Sequence, residues 1–158
     1  MDAVTRLEHD HQHLNRLVDS MREAFQDALR GDRDPAEVLD ECEEFLRMVN
    51  EELFSHFERE ETVLFPWVVE LLEDTAPAVA AMETAHDRIC GVSSRMEYLL
   101  GQGRESALSS FDMLVGLFAR FDANYSRHSQ DEAAFLKSLG TRLDATQRAT
   151  LGGLLEQL

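Results

Sequence analysis

Six residues combine types and spacings that could do chemistry together: His11, His56, Glu60, His86, His128 and Glu132. Two of the intervals repeat, as His56-x-x-x-Glu60 and His128-x-x-x-Glu132. On a helix, residues four apart share a face about one turn apart, so each pair can aim an imidazole and a carboxylate at one point. Neutral imidazole nitrogen and ionised carboxylate oxygen are ligands for iron and similar divalent ions. Taken singly, each histidine reads more readily as a hydrogen-bonded core residue. Glu60, within the acidic run Glu58–Glu61, reads on its own as a surface residue. The six together read differently, because they fall on apolar stripes in four separate segments.

Four long segments must position these groups. The first runs from about Ala3 to Arg30 and stops at Gly31-Asp32-Arg33-Asp34. Asp34 followed by Pro35 reads as an N-cap with proline at the first helical position. The second helix then extends to about Leu72, with a bend expected at Pro66. Asp74, Thr75 and Pro77 open a third, which ends at Gly101-Gln102-Gly103. A fourth is expected from near Ser106 to about Leu139, and a short last helix from about Asp144 to Leu158, interrupted by Gly152 and Gly153. Short connections between long helices predict an all-α, up-down-up-down four-helix bundle over residues 1–140, with residues 141–158 a short C-terminal helix packed on the same domain.

The stripes carry the polar groups inward. In the second helix Leu39, Cys42, Leu46, Val49, Leu53, His56, Glu60, Leu64, Trp67 and Leu71 recur at steps of three and four, as a buried face does. The third gives Val79, Met82, His86, Ile89, Ser93, Met96 and Leu100, and the fourth Leu108, Phe111, Val115, Phe118, Phe121, Tyr125, His128, Glu132, Phe135 and Leu139. Leu7, His11, Leu14, Val18, Met21 and Phe25 mark the first, so His11 points inward, while His9 and His13 on another face read as solvated side chains before a surface i, i+4 pair for a transition metal. Heights agree as well. His11 and His56 lie almost equally far from Arg33, and Glu60 and His86 are centred on residue 73. His86 and His128 are centred on residue 107, about five residues beyond the glycine turn, an offset of several Å at about 1.5 Å per residue. Burying polar groups without partners costs about 1–3 kcal/mol each even on the mild protein scale, and a metal cluster relieves that cost.

Bulk composition narrows the partners. Fifteen basic against thirty-one acidic residues give a formal charge of −16, which disfavours nucleic acid and anionic lipid. A hydrophobic content of 44% is that of a folded domain. No uncharged apolar stretch is long enough to span a membrane, and no export segment is recognised, so a cytoplasmic location is expected. Two cysteines, Cys42 and Cys90, make no disulfide framework.

With these residues in place, the sequence resembles the hemerythrin-like, or HHE cation-binding, family. Its order of one histidine, then His-x-x-x-Glu, one histidine and a second His-x-x-x-Glu is met by His11, His56/Glu60, His86 and His128/Glu132. The run from His56 to Pro66 also looks like the family's second-helix signature. The resemblance covers about residues 3–140. It implies two irons bridged by the two glutamates and an oxo or hydroxo group, with dioxygen, peroxide or nitric oxide as the small partner. The residues alone do not decide iron over manganese, the less favoured metal. Oxygen-carrying members place two histidines on the third helix, whereas Met82 and Cys90 flank His86 here. Their last carboxylate is an aspartate five residues after its histidine, in place of Glu132 at four. Both departures argue against simple reversible oxygen carriage. Tyr125 is the candidate additional ligand, set against its reading as a core tyrosine, and Cys90 reads as a small buried hydrophobe before a redox group.

The leading functional expectation is a non-haem di-iron protein that binds, senses or handles a small oxidant or gas. The alternative is a di-iron enzyme, for catalase-like peroxide breakdown, nitric oxide reduction or iron donation in iron–sulfur cluster repair. A metal-free helical interaction protein is the third reading. The residues do not choose between binder and enzyme, and they leave the oligomeric state open.

Overall fold

The computed structural model describes residues 3–158, with side chains from residue 12 onward. Helix α1 spans Ala3–Leu29, α2 residues 35–71, α3 Ala76–Gly101, α4 Arg104–Ser109, α5 Phe111–Arg142 and α6 Ala145–Glu156. No strand occurs among the described residues, and no helix there is long and apolar enough to cross a membrane.

Local chemistry explains the boundaries. After α1, Gly31 takes a φ of 80°, and the amides of Gly31 and Asp32 close onto the carbonyls of Ala28 and Asp27. That is the Schellman arrangement, in which a left-handed glycine lets the last carbonyls find donors. Asp34 caps α2 as expected, its carboxylate accepting from the Ala36 amide at 3.0 Å, with Pro35 opening the helix. Asp144 and Gln147 form a reciprocal capping box at the start of α6. This helix runs unbroken through Gly152 and Gly153, so the expected interruption is absent: Leu151 and Leu155 anchor it in the core, and packing outweighs the glycine penalty. The segment before α5 also differs from expectation. A separate short helix, α4, comes first, and its residue Ala107 is buried at the midpoint of His86 and His128. The offset seen in the sequence is therefore absorbed by a helical connection rather than a tight turn.

The four long helices close a ring, with α1 beside α2 and α5, and α3 beside α2 and α5. Numbers rise on one neighbour as they fall on the next: Asn50 meets Glu97, and Glu61 meets His86. A fork of Arg22 onto Asp122 joins α1 to α5 at 2.6 and 2.8 Å. Two apolar clusters fill the bundle. The larger is aromatic, built on Phe25, Phe45, Phe118 and Phe121, with Phe45 edge-on to Phe121 at 5.4 Å. The smaller gathers Leu64, Phe65, Val68, Met82, Leu136, Leu139, Leu151 and Leu155.

Helix α2 is not uniformly α-helical. Two wider π turns, Val49–Phe54 and Glu60–Leu64, bracket the five α-helical residues Ser55–Arg59. Two physical reasons converge on the second. Pro66 has no N–H and its ring crowds the preceding turn, and widening that turn makes room; the Phe65 amide reaches back five residues to the Glu60 carbonyl. Inward residues along this stretch also repeat in steps of four, as His56, Glu60, Leu64 and Val68. In a pure α-helix each such step drifts by about 40°, since 3.6 residues make a turn. The wider turns take up that drift. They also move the buried face beyond Glu60 onto Leu64, Phe65 and Val68, leaving Leu71 exposed and Trp67 only half-buried, where the α-helical stripe placed both inside.

Candidate metal centre

Between the two apolar clusters lies a polar belt. His56 and Glu60 come from the bracketed part of α2, His86 from α3, and His128 and Glu132 from α5. His56 Nε2 lies 2.7 Å from Glu60 Oε1. Glu60 Oε2 lies 3.1 Å from His86 Nε2, which is 3.2 Å from His128 Nε2. His128 Nε2 lies 3.0 Å from Glu132 Oε2, and Glu132 Oε1 returns to His56 Nε2 at 3.9 Å. The five side chains thus form a closed circuit with all three Nε2 atoms turned inward. Glu60, His86, His128 and Glu132 are each at most 3% exposed, and each offers one ligand atom within 4.8 Å of the others. His11, the residue expected from α1, lies in that helix with its side chain outside the described residues, as does His9 of the surface pair. His13 is exposed, 3.7 Å from Glu52.

Burial and mutual charge set the protons of this belt. Burial opposes the charged form of His56, but hydrogen bonds to Glu132 and Glu60 outweigh it and push the group up to about 10. Burial, and then the charge of Glu132, hold the Glu60 carboxyl well above the ordinary range. His86 is pushed down by burial and then by the adjacent His128. One histidine is held charged, another neutral, and a carboxyl keeps its proton.

The donor set fits a cation. Ligands about 2.1 Å from one ion at right angles sit about 3 Å apart, the spacing found at four of the five links of the circuit. A cation would replace the shared protons, since imidazole and carboxylate must be deprotonated to bind one.

Two contributing residues were not legible in the apolar stripes. Phe57 is buried and stacks on the His86 ring at 3.7 Å and 10°, while standing edge-on to His128 at 5.3 Å. Glu61 reaches His86 Nδ1 at 3.3 Å. With that N–H donated to Glu61, His86 presents its Nε2 lone pair to the belt. Glu61 could have been suspected only from its place beside Glu60, and both carboxylates, at the start of the second π turn, reach His86 of α3. Tyr125 is 2% exposed and stacked with Phe121 at 6.1 Å; burial, with Glu132 acting in the same direction, pushes its phenol up to about 12. Cys90 is half-buried against the larger cluster, with burial and the charges of Asp87 and Glu61 pushing its thiol up to about 11, unlike an activated thiolate.

Searches of curated proteins and of solved structures return no match to this chain. The family model described as the hemerythrin HHE cation binding domain matches residues 2–139, and a buried circuit of three histidines and two glutamates occupies the core of that span. The chain belongs to the hemerythrin HHE cation-binding domain family.

Proposed function

We propose that this protein is a non-haem iron protein that binds, senses or handles a small oxidant or gas. His56, Glu60, His86, His128 and Glu132 are its ligands, and His11 of α1 completes the set for a pair of irons. The closed circuit of inward Nε2 atoms and carboxylates carries this reading, because nothing apolar is gained by burying five such groups together. Bound iron would supply Lewis acidity and a reversible one-electron couple. The chain's own residues do the rest. Glu61 fixes the tautomer of His86, Phe57 holds two rings at right angles, and the flanking apolar clusters keep bulk water from the belt.

Access also fits a small partner. A cavity of about 190 Å³ between α3 and α5 is lined by Ala78, Ala81, Met82, Ala85 and Phe135, with His128 and Asp131 in its wall. Sites for drug-sized organic molecules run to about 300–1,000 Å³. This cavity suits a diatomic gas or peroxide instead.

Elemental analysis with visible absorption on untagged protein tests the reading. About two irons per chain are expected, following from the two His-x-x-x-Glu pairs, with charge-transfer bands that are lost in His56→Ala. Well-folded protein that takes up no metal when expressed with added iron would overturn it.

A further inference from the structure

A groove of about 490 Å³ runs between α3 and α5 on the surface, one to two turns from the belt. Its walls are Arg88 and Arg95 of α3 and Arg120 of α5, with Asn124 beside them, and its floor is Gly91, Val92 and Ala123. No acidic residue lines it, although acidic residues outnumber basic ones two to one in the chain.

The pairing of the arginines makes the groove distinctive. Most described arginines hold a carboxylate or a backbone carbonyl, as Arg22, Arg47, Arg104 and Arg142 do, and likewise Arg30, Arg33, Arg59, Arg127 and Arg148. Arg16, Arg88, Arg95 and Arg120 are the described arginines with no such partner. Three of these four meet in one groove. Unpaired guanidinium groups keep all their donors available, and each presents a planar fork that matches phosphate or carboxylate oxygens. Acidic residues elsewhere on the surface weaken them little, because charges farther than about 8 Å are largely screened at physiological salt.

We propose that this groove binds a small molecule carrying two separated phosphate groups, bridging α3 and α5. The spacing selects the ligand. Arg88 and Arg95 are seven residues apart on one helix face, about 10 Å along the axis, so two phosphates about that far apart can each take one guanidinium without either side chain bending toward the other. Arg120 faces them from the other helix, and the floor is low: a Cβ built on Gly91 would meet nothing within 4 Å. A ring or short chain therefore has room to lie between the two phosphates. Bound there, it ties together the two helices that carry His86 and His128.

The test is isothermal titration calorimetry with fructose 1,6-bisphosphate at fixed ionic strength, on the protein as purified and after metal removal. Inorganic phosphate and a hexaglutamate peptide serve as comparison probes. Expected is saturable one-to-one binding of the bisphosphate in both forms, at least tenfold tighter than phosphate. Arg95→Gln and Arg120→Gln should each weaken it tenfold or more while leaving the melting temperature and iron content unchanged. No saturable binding, binding unaffected by the double variant, or binding of hexaglutamate alone would each overturn the proposal. Because the metal-free form is included, failure here is distinct from failure of the iron reading.

Discussion

The aromatic cluster and the polar belt are built on the same long helices, a few turns apart, and work in opposite directions. Around Phe25, Phe45, Phe118 and Phe121 each side chain loses water and gains close contacts with its neighbours, which stabilises the fold. In the belt, Glu60, His86, His128 and Glu132 also lose water, but their polar atoms hold one another by sharing protons. A bundle can bury such a belt because the two apolar clusters flank it on either side. With the proposed function, the difference puts stability in one region and the proposed iron site in the other, and it can be tested by damaging each separately.

The largest loss should come from the aromatic side. Phe121 is fully buried, and Phe121→Ala should cost about 3–5 kcal/mol in urea unfolding, while iron per folded chain stays unchanged. Parallel loss of iron from protein that remains folded would mean that the two regions are not separable.

The belt should respond with the opposite sign. Glu60 and His86 face each other at 3.1 Å, the former held protonated by burial and the Glu132 charge and the latter neutral. Replacing both, as Glu60→Leu with His86→Leu, should abolish iron binding and raise the stability of the metal-free protein by about 1–4 kcal/mol. Lower metal-free stability in thermal melts would show that the belt contributes to folding on its own.

A gentler change sharpens the distinction. Glu61→Gln leaves a neutral acceptor at His86 Nδ1 and should weaken iron affinity about 10–100-fold with little change in metal-free melting. A chelator competition titration reads this directly, and an unchanged affinity would remove Glu61 from its positioning role.

The shallowest effect is that of pH on the metal-free protein. Glu60 is raised, so its contribution is full below its unfolded value near 4.3 and fades as pH climbs through its folded value. His56 is also raised, and its contribution is full below about 6.5 and lost towards 10. Both signs agree, and His86, pushed down to about 4, acts the other way only up to about 6.5, so the melting temperature of metal-free protein should fall from pH 6 to pH 9, whereas iron uptake should improve over that range. A metal-free melting temperature that rises with pH would contradict this assignment of protons.

Much of this was legible in the sequence, for reasons that differ by residue. Asp34-Pro35 and Gly31 mark ends because cap and left-handed geometry depend on local chemistry alone. His56, Glu60, His86, His128 and Glu132 emerged because polar residues on an apolar stripe are conspicuous. Trp67 and Leu71 were misplaced because a stripe drawn at α-helical spacing has no means of registering a π turn. Phe57 was passed over for a related cause, since it sits one residue from His56 and packs sideways onto rings from other helices. Contacts such as Glu61 with His86 depend on which helices become neighbours, which no single stripe encodes.

The bracketed segment of α2 bears on any attempt to redesign this bundle. A designer who straightened residues 35–71 into an ideal α-helix, with strong helix formers throughout, would improve local propensity. The same edit would remove the two wide turns and rotate His56 and Glu60 away from Leu64 and Val68. The scaffold would then gain regularity and lose the polar circuit, so the irregular turns belong on the list of parts to be kept.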